Sequence, residues 1–395
     1  MKIAYLGVFQ HLPANSGNDW YTLQQLTDLM ETAEVHLYHT QEVDDKQGYM
    51  PEKVAITQES IATKIRWGRI SQRSRISHRL AQLKPEMLLD KSAVEHVKAD
   101  IVFARVYDFH IARHVAKANN APIVLVMHNV EWEYLKHTGY SPLVYVPARL
   151  YENYVVKQAD AVTALSPRDY ARATAITSAE KVFYVPYEPN CEIFGSNGAR
   201  HDYGKDKLNL LFYGSLDRHH NIEALKFVKS ELIPKLKERR LFNSTRINVF
   251  GSGDPPKHLD LENDPEINYL GTVENPGPYI RGSDVVIVPV RNSSGVKTRV
   301  LEALSCNKPV IAFSEATFGL EDESLGGITV ADTAEGFVEA LKSLECDAPC
   351  LDGMRPAHSS VHAATARDVA HYALEKNVTS LKPRQRRLIS SNKLK

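Results

Sequence analysis

Cysteine is scarce in this chain: four in 395 residues, at positions 191, 306, 346 and 350. They form no C-x-x-C pair and no zinc-ligand spacing, which argues against a disulfide framework, a zinc ribbon or a thiol oxidoreductase. Cys346 and Cys350 share a short polar loop and read as two surface thiols. No stretch approaches the roughly 18 apolar residues that a membrane span requires. The opening MKIAYLGVF is a strand running into a loop rather than a basic-then-apolar leader. The expectation is a reducing, cytoplasmic-side protein. An excess of charge is missing too, with 48 Lys and Arg against 48 Asp and Glu. Global electrostatics therefore select no partner, and only local clusters can. There is no dinucleotide-binding G-x-G-x-x-G, so no nicotinamide or flavin is expected. A carboxylate pair of the kind that brackets a glycosidic bond in hydrolases is not evident, and no short-period repeat is found.

What is present is an alternation of apolar runs with helical patterns, in a chain long enough for two or three domains. Its 43% hydrophobic and 24% charged content suits a folded protein. In the first half the expected strands are KIAYLGVF, EVHLYH, DIVFARV, APIVLVMH, AVTALS and KVFYVP. The second half offers LNLLFYG, INVFG, INYLGTV, VVIVPV, PVIAF and GITVA. Helices are expected at 17–32, 108–119, 143–158, 221–239 and 334–345, with a last one near 361–378. Strands alternating with helices imply parallel sheets. The fold class is α/β: two Rossmann-like, doubly wound domains, 1–187 and 208–360. A Gly- and Pro-bearing linker, 188–207, joins them. Residues 361–381 form a terminal helix and 382–395 a basic tail. Ligands of such sheets bind at the carboxyl ends of the strands, here expected across a cleft between the domains.

The most informative stretch is 285–313, VVIVPVRNSSGVKTRVLEALSCNKPVIAF. It reads as strand, loop, helix, stop and strand. The helix is expected to begin near Ser294–Gly295, with a serine cap, and to end at Asn307 before Pro309. Val296, Val300, Leu301 and Leu304 share one face, and Arg299 and Glu302 lie on the other. Lys297 and Arg299 sit where the helix dipole disfavours cations by about 0.3–1 kcal/mol each. Two readings remain open on spacing alone. One is an anion site with Glu302 one turn further in, able to accept from two sugar hydroxyls. The other is a solvated face with one i,i+3 ion pair.

Further candidates lie at strand ends. In IVLVMHNVEWEY a buried strand gives way to His128 and Asn129, with Glu131 close enough to orient the histidine or to cap the next helix. A lone histidine there is equally a structural residue. The loop VFQHLPANSGNDW places Asn15, Ser16 and Gly17 before a helix. In LFYGSLDRHHNIEAL, Gly214 and Ser215 allow backbone approach to a phosphate. Arg218, His219 and His220 follow, with Asn221 as the expected helix cap. Adjacent ring ligands converge poorly and no carboxylate set accompanies them, so no metal site is expected. Gly251, Gly253, Gly271 and Val273 complete the rim.

The run G-V-K-T-R-V-L-E-A-L-S-C-N-K-P-V-I-A-F resembles the donor segment of family 4 retaining glycosyltransferases of the GT-B fold, and the resemblance spans nearly the whole chain. It implies that Glu302 holds the ribose of a nucleotide-sugar, while Lys297 and Arg299 meet its diphosphate. It implies further that His128 sits beside the transferred sugar, that the backbone near Val273 meets the base, and that the Gly17 loop overlies the sugars. The terminal helix would cross back onto the first domain. Catalytic candidates are thus His128, Lys297, Arg299 and Glu302. Donor-binding candidates are Gly17, Asn129, Gly214, Ser215, Arg218, His220, Gly251, Val273, Ser294 and Gly295. No cofactor and no metal are implied. Two positions depart from the family pattern: Ser294 stands where an acidic residue is common, and His220 where a lysine is. The acceptor is expected to be a glycan or a lipid-linked sugar, in cell-envelope polysaccharide synthesis. Rival readings on this fold are a nucleotide-sugar 2-epimerase, which needs more acidic bases, and a non-catalytic nucleotide-binding scaffold.

One more stretch stands apart. Between Lys64 and Lys84 seven cations, including Arg69, Arg73 and Arg75, are interleaved with Ile65, Trp67, Ile70, Ile76, Leu80 and Leu83, without an acidic residue. Such a run suits a solvated amphipathic helix or a face resting on an anionic membrane. Nothing else in the chain supports nucleic-acid binding.

Overall fold

The computed structural model describes residues 1–6, 17–38, 54–57, 97–291, 295–320, 326–346 and 363–380. The chain divides into two compact units. The first comprises Met1–Leu12, Thr22–Pro186 and Val361–Lys395, and the second Pro13–Tyr21 and Tyr187–Ser360.

In the first unit the strands are β1 (Lys2–Leu6), β2 (Glu34–Tyr38), β3 (Val54–Thr57), β4 (Ile101–Arg105), β5 (Ile123–Met127), β6 (Ala161–Ala164) and β7 (Val182–Tyr184). They form one parallel sheet in the order β3-β2-β1-β4-β5-β6-β7. β5 is buried at every position, as a central parallel strand covered on both faces must be. The helix Phe109–Asn119 lays Phe109, Ile111, Ala112, Val115 and Ala116 into the core and stops where Asn120 turns left-handed, at φ 51°. The terminal helix Ala366–Ser380 belongs to this unit: Tyr372 meets Phe183 edge-on at 5.0 Å, and Asn377 donates to the Asn120 carbonyl.

The second unit contains β8 (Leu208–Tyr213), β9 (Thr245–Phe250), β10 (Ile267–Tyr269), β11 (Val285–Val288), β12 (Val310–Ala312) and β13 (Ile328–Val330). Its sheet is also parallel, in the order β10-β9-β8-β11-β12-β13. Phe227, Phe313 and Phe337 form a three-ring cluster with centroids 4.8–5.6 Å apart, bringing helices onto β12. Each such ring pair adds roughly 0.5–1.5 kcal/mol to the area it buries. The helix expected over 221–239 is interrupted by a π turn at Val228–Leu232. Pro234 follows directly and cannot donate to the preceding turn, which is where such a bulge relieves the ladder.

The segment read as a linker is laid onto this unit. It forms a short helix, Cys191–Phe194, with Phe194 fully buried. The buried Arg281 guanidinium donates to the carbonyls of Ile193, Gly195 and Ala199. β3 and the helices Pro167–Thr174 and Pro276–Gly282 were not expected from the apolar pattern, and the helix after the His128 loop, Glu131–His137, is capped at Val130 rather than at Glu131. All are short, so their periodicity is brief. No helix among the described residues is long and apolar enough to cross a membrane.

Candidate functional site

In the second sheet the strand order reverses between β8 and β11, and the crevice beyond their carboxyl ends is the natural ligand position. β8 runs out at Gly214, whose φ of 149° is open to glycine but strained for other residues. A Cβ at this position would stand 2.5 Å from Arg299 Nη2 and 2.9 Å from its Cζ. The missing side chain lets the guanidinium lie directly on the backbone.

Arg299 is held there from the other side. Its Nη2 donates to Asn221 Oδ1 at 2.8 Å, and Asn221 Nδ2 donates to the Ser215 carbonyl at 2.8 Å. Asn221 is therefore not the cap of its helix. The helix is His219–Phe227, Arg218 occupies the cap position, and Asn221 is a buried tie. Arg299 Nη1 is buried and meets no hydrogen-bond partner among the described residues. Leaving a buried donor unsatisfied costs about 1–3 kcal/mol, and more when it is charged. A cation aimed this way calls for an anionic acceptor.

His220 shares the feature: its buried Nδ1 has no partner among the described residues. Burial, and then the cations Arg299, Lys297 and Arg218, push its pKa down to about 3. The imidazole is neutral, so the positive charge expected of this stretch rests on Arg218, Lys297 and Arg299. Arg218 is partly exposed and stands 3.8 Å from Asp217.

The helix of the 285–313 stretch is shorter than expected, Thr298–Ser305. Lys297 holds the cap position with extended backbone and makes no side-chain cap. Ser294, the expected cap, lies outside the described residues. Val296 precedes the helix, so the buried stripe is carried by Val300, Leu301, Ala303 and Leu304. Lys297 is buried and its Nζ donates to the Gly295 carbonyl at 2.8 Å. The stop matches expectation, with Asn307 left-handed at φ 59° and Lys308 N–H closing on the Ala303 carbonyl.

Glu302 departs most from the sequence reading. It lies on no solvated face but is buried, accepting from the Tyr187 hydroxyl on Oε1 at 3.2 Å and from the Tyr213 hydroxyl on Oε2 at 3.0 Å. Burial raises its pKa, opposed by hydrogen bonds from Tyr213 and Thr298 and by Arg299. A carboxylate has about four acceptor positions, so Tyr187, Tyr213 and Thr298 leave capacity for one further hydroxyl. Neither tyrosine was singled out from sequence. Tyr213 was findable as the last residue of a strand ending in glycine, whereas Tyr187 is 115 residues from Glu302.

The remaining rim is tied strand to strand. A Cβ on Gly251 would fall 1.8 Å from the Gly214 carbonyl oxygen, so β8 and β9 end in backbone contact. Ser252 and Ser215 hydroxyls lie 3.2 Å apart, Gly251 N–H donates to the Gly271 carbonyl, and Thr272 Oγ1 donates back to Gly251. Val273 is half-buried two residues beyond Gly271. Gly17 opens its helix in the portion grouped with this unit, where a Cβ would clash with Thr298 Oγ1 at 2.2 Å. Asn15 and Ser16 lie outside the described residues.

His128 and Asn129 belong to the first unit, directly after β5. His128 is held well below the usual histidine range by burial and by Arg105, and is neutral. Glu131 starts the next helix and accepts from the Tyr107 hydroxyl at 2.5 Å. Among the described residues no group of three or more His, Cys, Asp and Glu side chains could hold a metal ion.

Residues 207–347, within the second unit, match the family model of the glycosyl transferases group 1. No curated protein matches the sequence. Among solved structures, the sucrose-phosphate synthase from Thermosynechococcus elongatus is similar at 14% identity and a TM-score of 0.63, over 99% of this chain and 97% of that one. Anabaena HepE, solved in complex with UDP-glucose, is similar at 14% identity and a TM-score of 0.59, over 99% of both chains. WaaG, a glycosyltransferase involved in lipopolysaccharide biosynthesis, is similar at 15% identity and a TM-score of 0.58, over 96% and 95%. The fold is GT-B. In this GT-B chain the family match contains every second-unit candidate except Gly17.

Proposed function

We propose that this protein is a retaining glycosyltransferase of family 4, moving a sugar from a nucleotide-sugar to a glycan or lipid-linked acceptor in cell-envelope polysaccharide synthesis. One observation carries the reading: the Arg299 guanidinium, seated on Gly214 at the switch point, keeps a buried donor without a partner among the described residues. A diphosphate is the anion that suits it, with Arg218 and Lys297 as further cations. Preorganised donors at a developing charge are commonly the largest catalytic contribution, and here they need no metal to stabilise the departing nucleoside diphosphate. Glu302 would accept from the ribose, the backbone near Val273 would meet the base, and the Gly17 loop would overlie the sugar. The first unit would bind the acceptor, with neutral His128 orienting the transferred sugar rather than lending it charge. HepE, solved with UDP-glucose, and WaaG, named for lipopolysaccharide biosynthesis, support a nucleotide-sugar donor and an envelope acceptor.

The test measures nucleoside diphosphate released from a panel of sugar nucleotides, with and without candidate acceptors, and the anomeric configuration of the product by NMR. Acceptor-dependent release with retention is expected. Inversion would remove the mechanism, a 2-epimer formed without acceptor would replace the reaction, and binding without turnover would leave a scaffold.

A further inference from the structure

His220 is a residue of this site whose charge is set by its surroundings. It is the second residue of the helix His219–Phe227, beside the Asn221 that clamps Arg299. Its Nδ1 and Arg299 Nη1 are both buried donor or acceptor atoms without partners among the described residues. The charges acting on the ring come from Arg299 and Lys297 on the facing segment and from Arg218 and His219 on its own, with Asp217 ion-paired to Arg218. Such surroundings disfavour the protonated ring. A diphosphate held by Arg299 would bring about two negative charges against these cations, and an opposite charge within about 4–6 Å favours the charged form.

We propose that His220 is a proton-accepting ligand of the donor diphosphate: neutral in the free protein, it takes a proton from solvent as the phosphates bind and then donates a hydrogen bond to a phosphate oxygen. No covalent bond changes, and the proton returns to solvent when the nucleotide leaves. A lysine at this position would bring a permanent charge. The histidine instead makes donor affinity depend on pH. The inference rests on the diphosphate reading above and deepens it.

The sign follows from linkage. Burial and the neighbouring cations push the free-state pKa down to about 3, and a bound anion would raise it. Proton-linked affinity is therefore gained as pH falls through the bound-state value, by at most about tenfold per pH unit. The experiment is isothermal titration of the full-length protein with UDP-glucose, GDP-mannose and ADP-glucose. Their diphosphate diesters have no proton of their own to exchange near neutral pH. Two non-phosphate buffers of equal pH and unequal ionisation enthalpy report the protons taken up per donor bound. Wild type should take up a fraction of a proton at pH 6 and bind more weakly at pH 8. His220→Gln should bind with no uptake and a flat pH profile, and His220→Lys should bind at least as tightly as wild type with no uptake. Zero uptake in wild type, or uptake unchanged in His220→Gln, overturns the proposal while leaving the donor site in place. If none of the three nucleotides binds, the diphosphate reading itself falls, and the inference with it.

Discussion

The Tyr213 hydroxyl lies 3.0 Å from Glu302 Oε2 and 3.0 Å from the Arg299 carbonyl oxygen, so one phenol proton faces two acceptors. With Tyr187 on the other carboxylate oxygen, Glu302 is fixed from both sides before any ligand arrives. The residue that the motif assigns to the ribose is thus also part of the core of its unit, and this changes how it must be tested.

Glu302→Ala should lower Tm as well as donor binding, because it strands the Tyr187 hydroxyl, worth about 1–3 kcal/mol when buried and unsatisfied, and leaves Tyr213 only the Arg299 carbonyl. Glu302→Gln keeps the shape and one acceptor, so it should stay folded and lose roughly tenfold to a hundredfold in donor affinity, the equivalent of one or two hydrogen bonds to a charged group. Unchanged affinity by titration of a folded Gln variant would remove Glu302 from the donor site.

Turnover should survive excess EDTA if, as proposed, the charge on the leaving group is met by Lys297, Arg299 and Arg218. Complete loss, restored by magnesium or manganese, would show that a divalent ion does this work instead.

His128→Ala should reduce kcat on the order of 100-fold while leaving donor affinity within a few-fold, as expected of a group that positions the reacting sugar. Small and equal effects on both would make His128 a structural residue of β5.

Glu152 gives a prediction on stability alone. Buried on the helix Pro142–Gln158 and accepting from the Glu131 N–H, it has its pKa pushed up to about 8, first by burial and then by the Glu131 charge. A raised folded-state pKa stabilises below the unfolded value, near 4.5, and that contribution is lost as pH rises to about 8. Glu152→Gln should therefore gain in Tm relative to wild type between those limits and run parallel above them. A constant difference across that range would mean that Glu152 titrates normally.

Membrane association remains an expectation of the basic run at 64–84, which lies outside the described residues. If that run meets an anionic surface, each cation contributes about 1 kcal/mol, screened over a Debye length of about 8–10 Å. Co-sedimentation should favour anionic over neutral vesicles and fade with salt, and the triple change Arg69→Gln, Arg73→Gln, Arg75→Gln should weaken it. Equal binding to both vesicle types would contradict this.

The two α/β sheets were legible in the chain because central parallel strands are buried on both faces and read as continuous apolar runs. β4, β5 and β11 appear as nearly continuous apolar stretches, IVFA, IVLVM and VVIV, while β8 and β9 carry Asn209, Arg246 and Asn248 among their apolar residues. The stop at Asn307 was legible for a similar reason: left-handed backbone and a following proline are local properties. β3 and the short helices were not, because four to eight residues carry too little periodicity. The chemistry of the site was decided by tertiary contacts. Spacing put Arg299 and Glu302 on one helix face and left that face solvated or ligand-bound. Only the folding of Gly214, Asn221 and Tyr187 around them, from 78 to 115 residues away in sequence, buried the carboxylate and set the guanidinium on bare backbone. Burial and neighbouring charge also decide that His220 is neutral, because a histidine's pKa belongs to its surroundings and not to its place in the sequence.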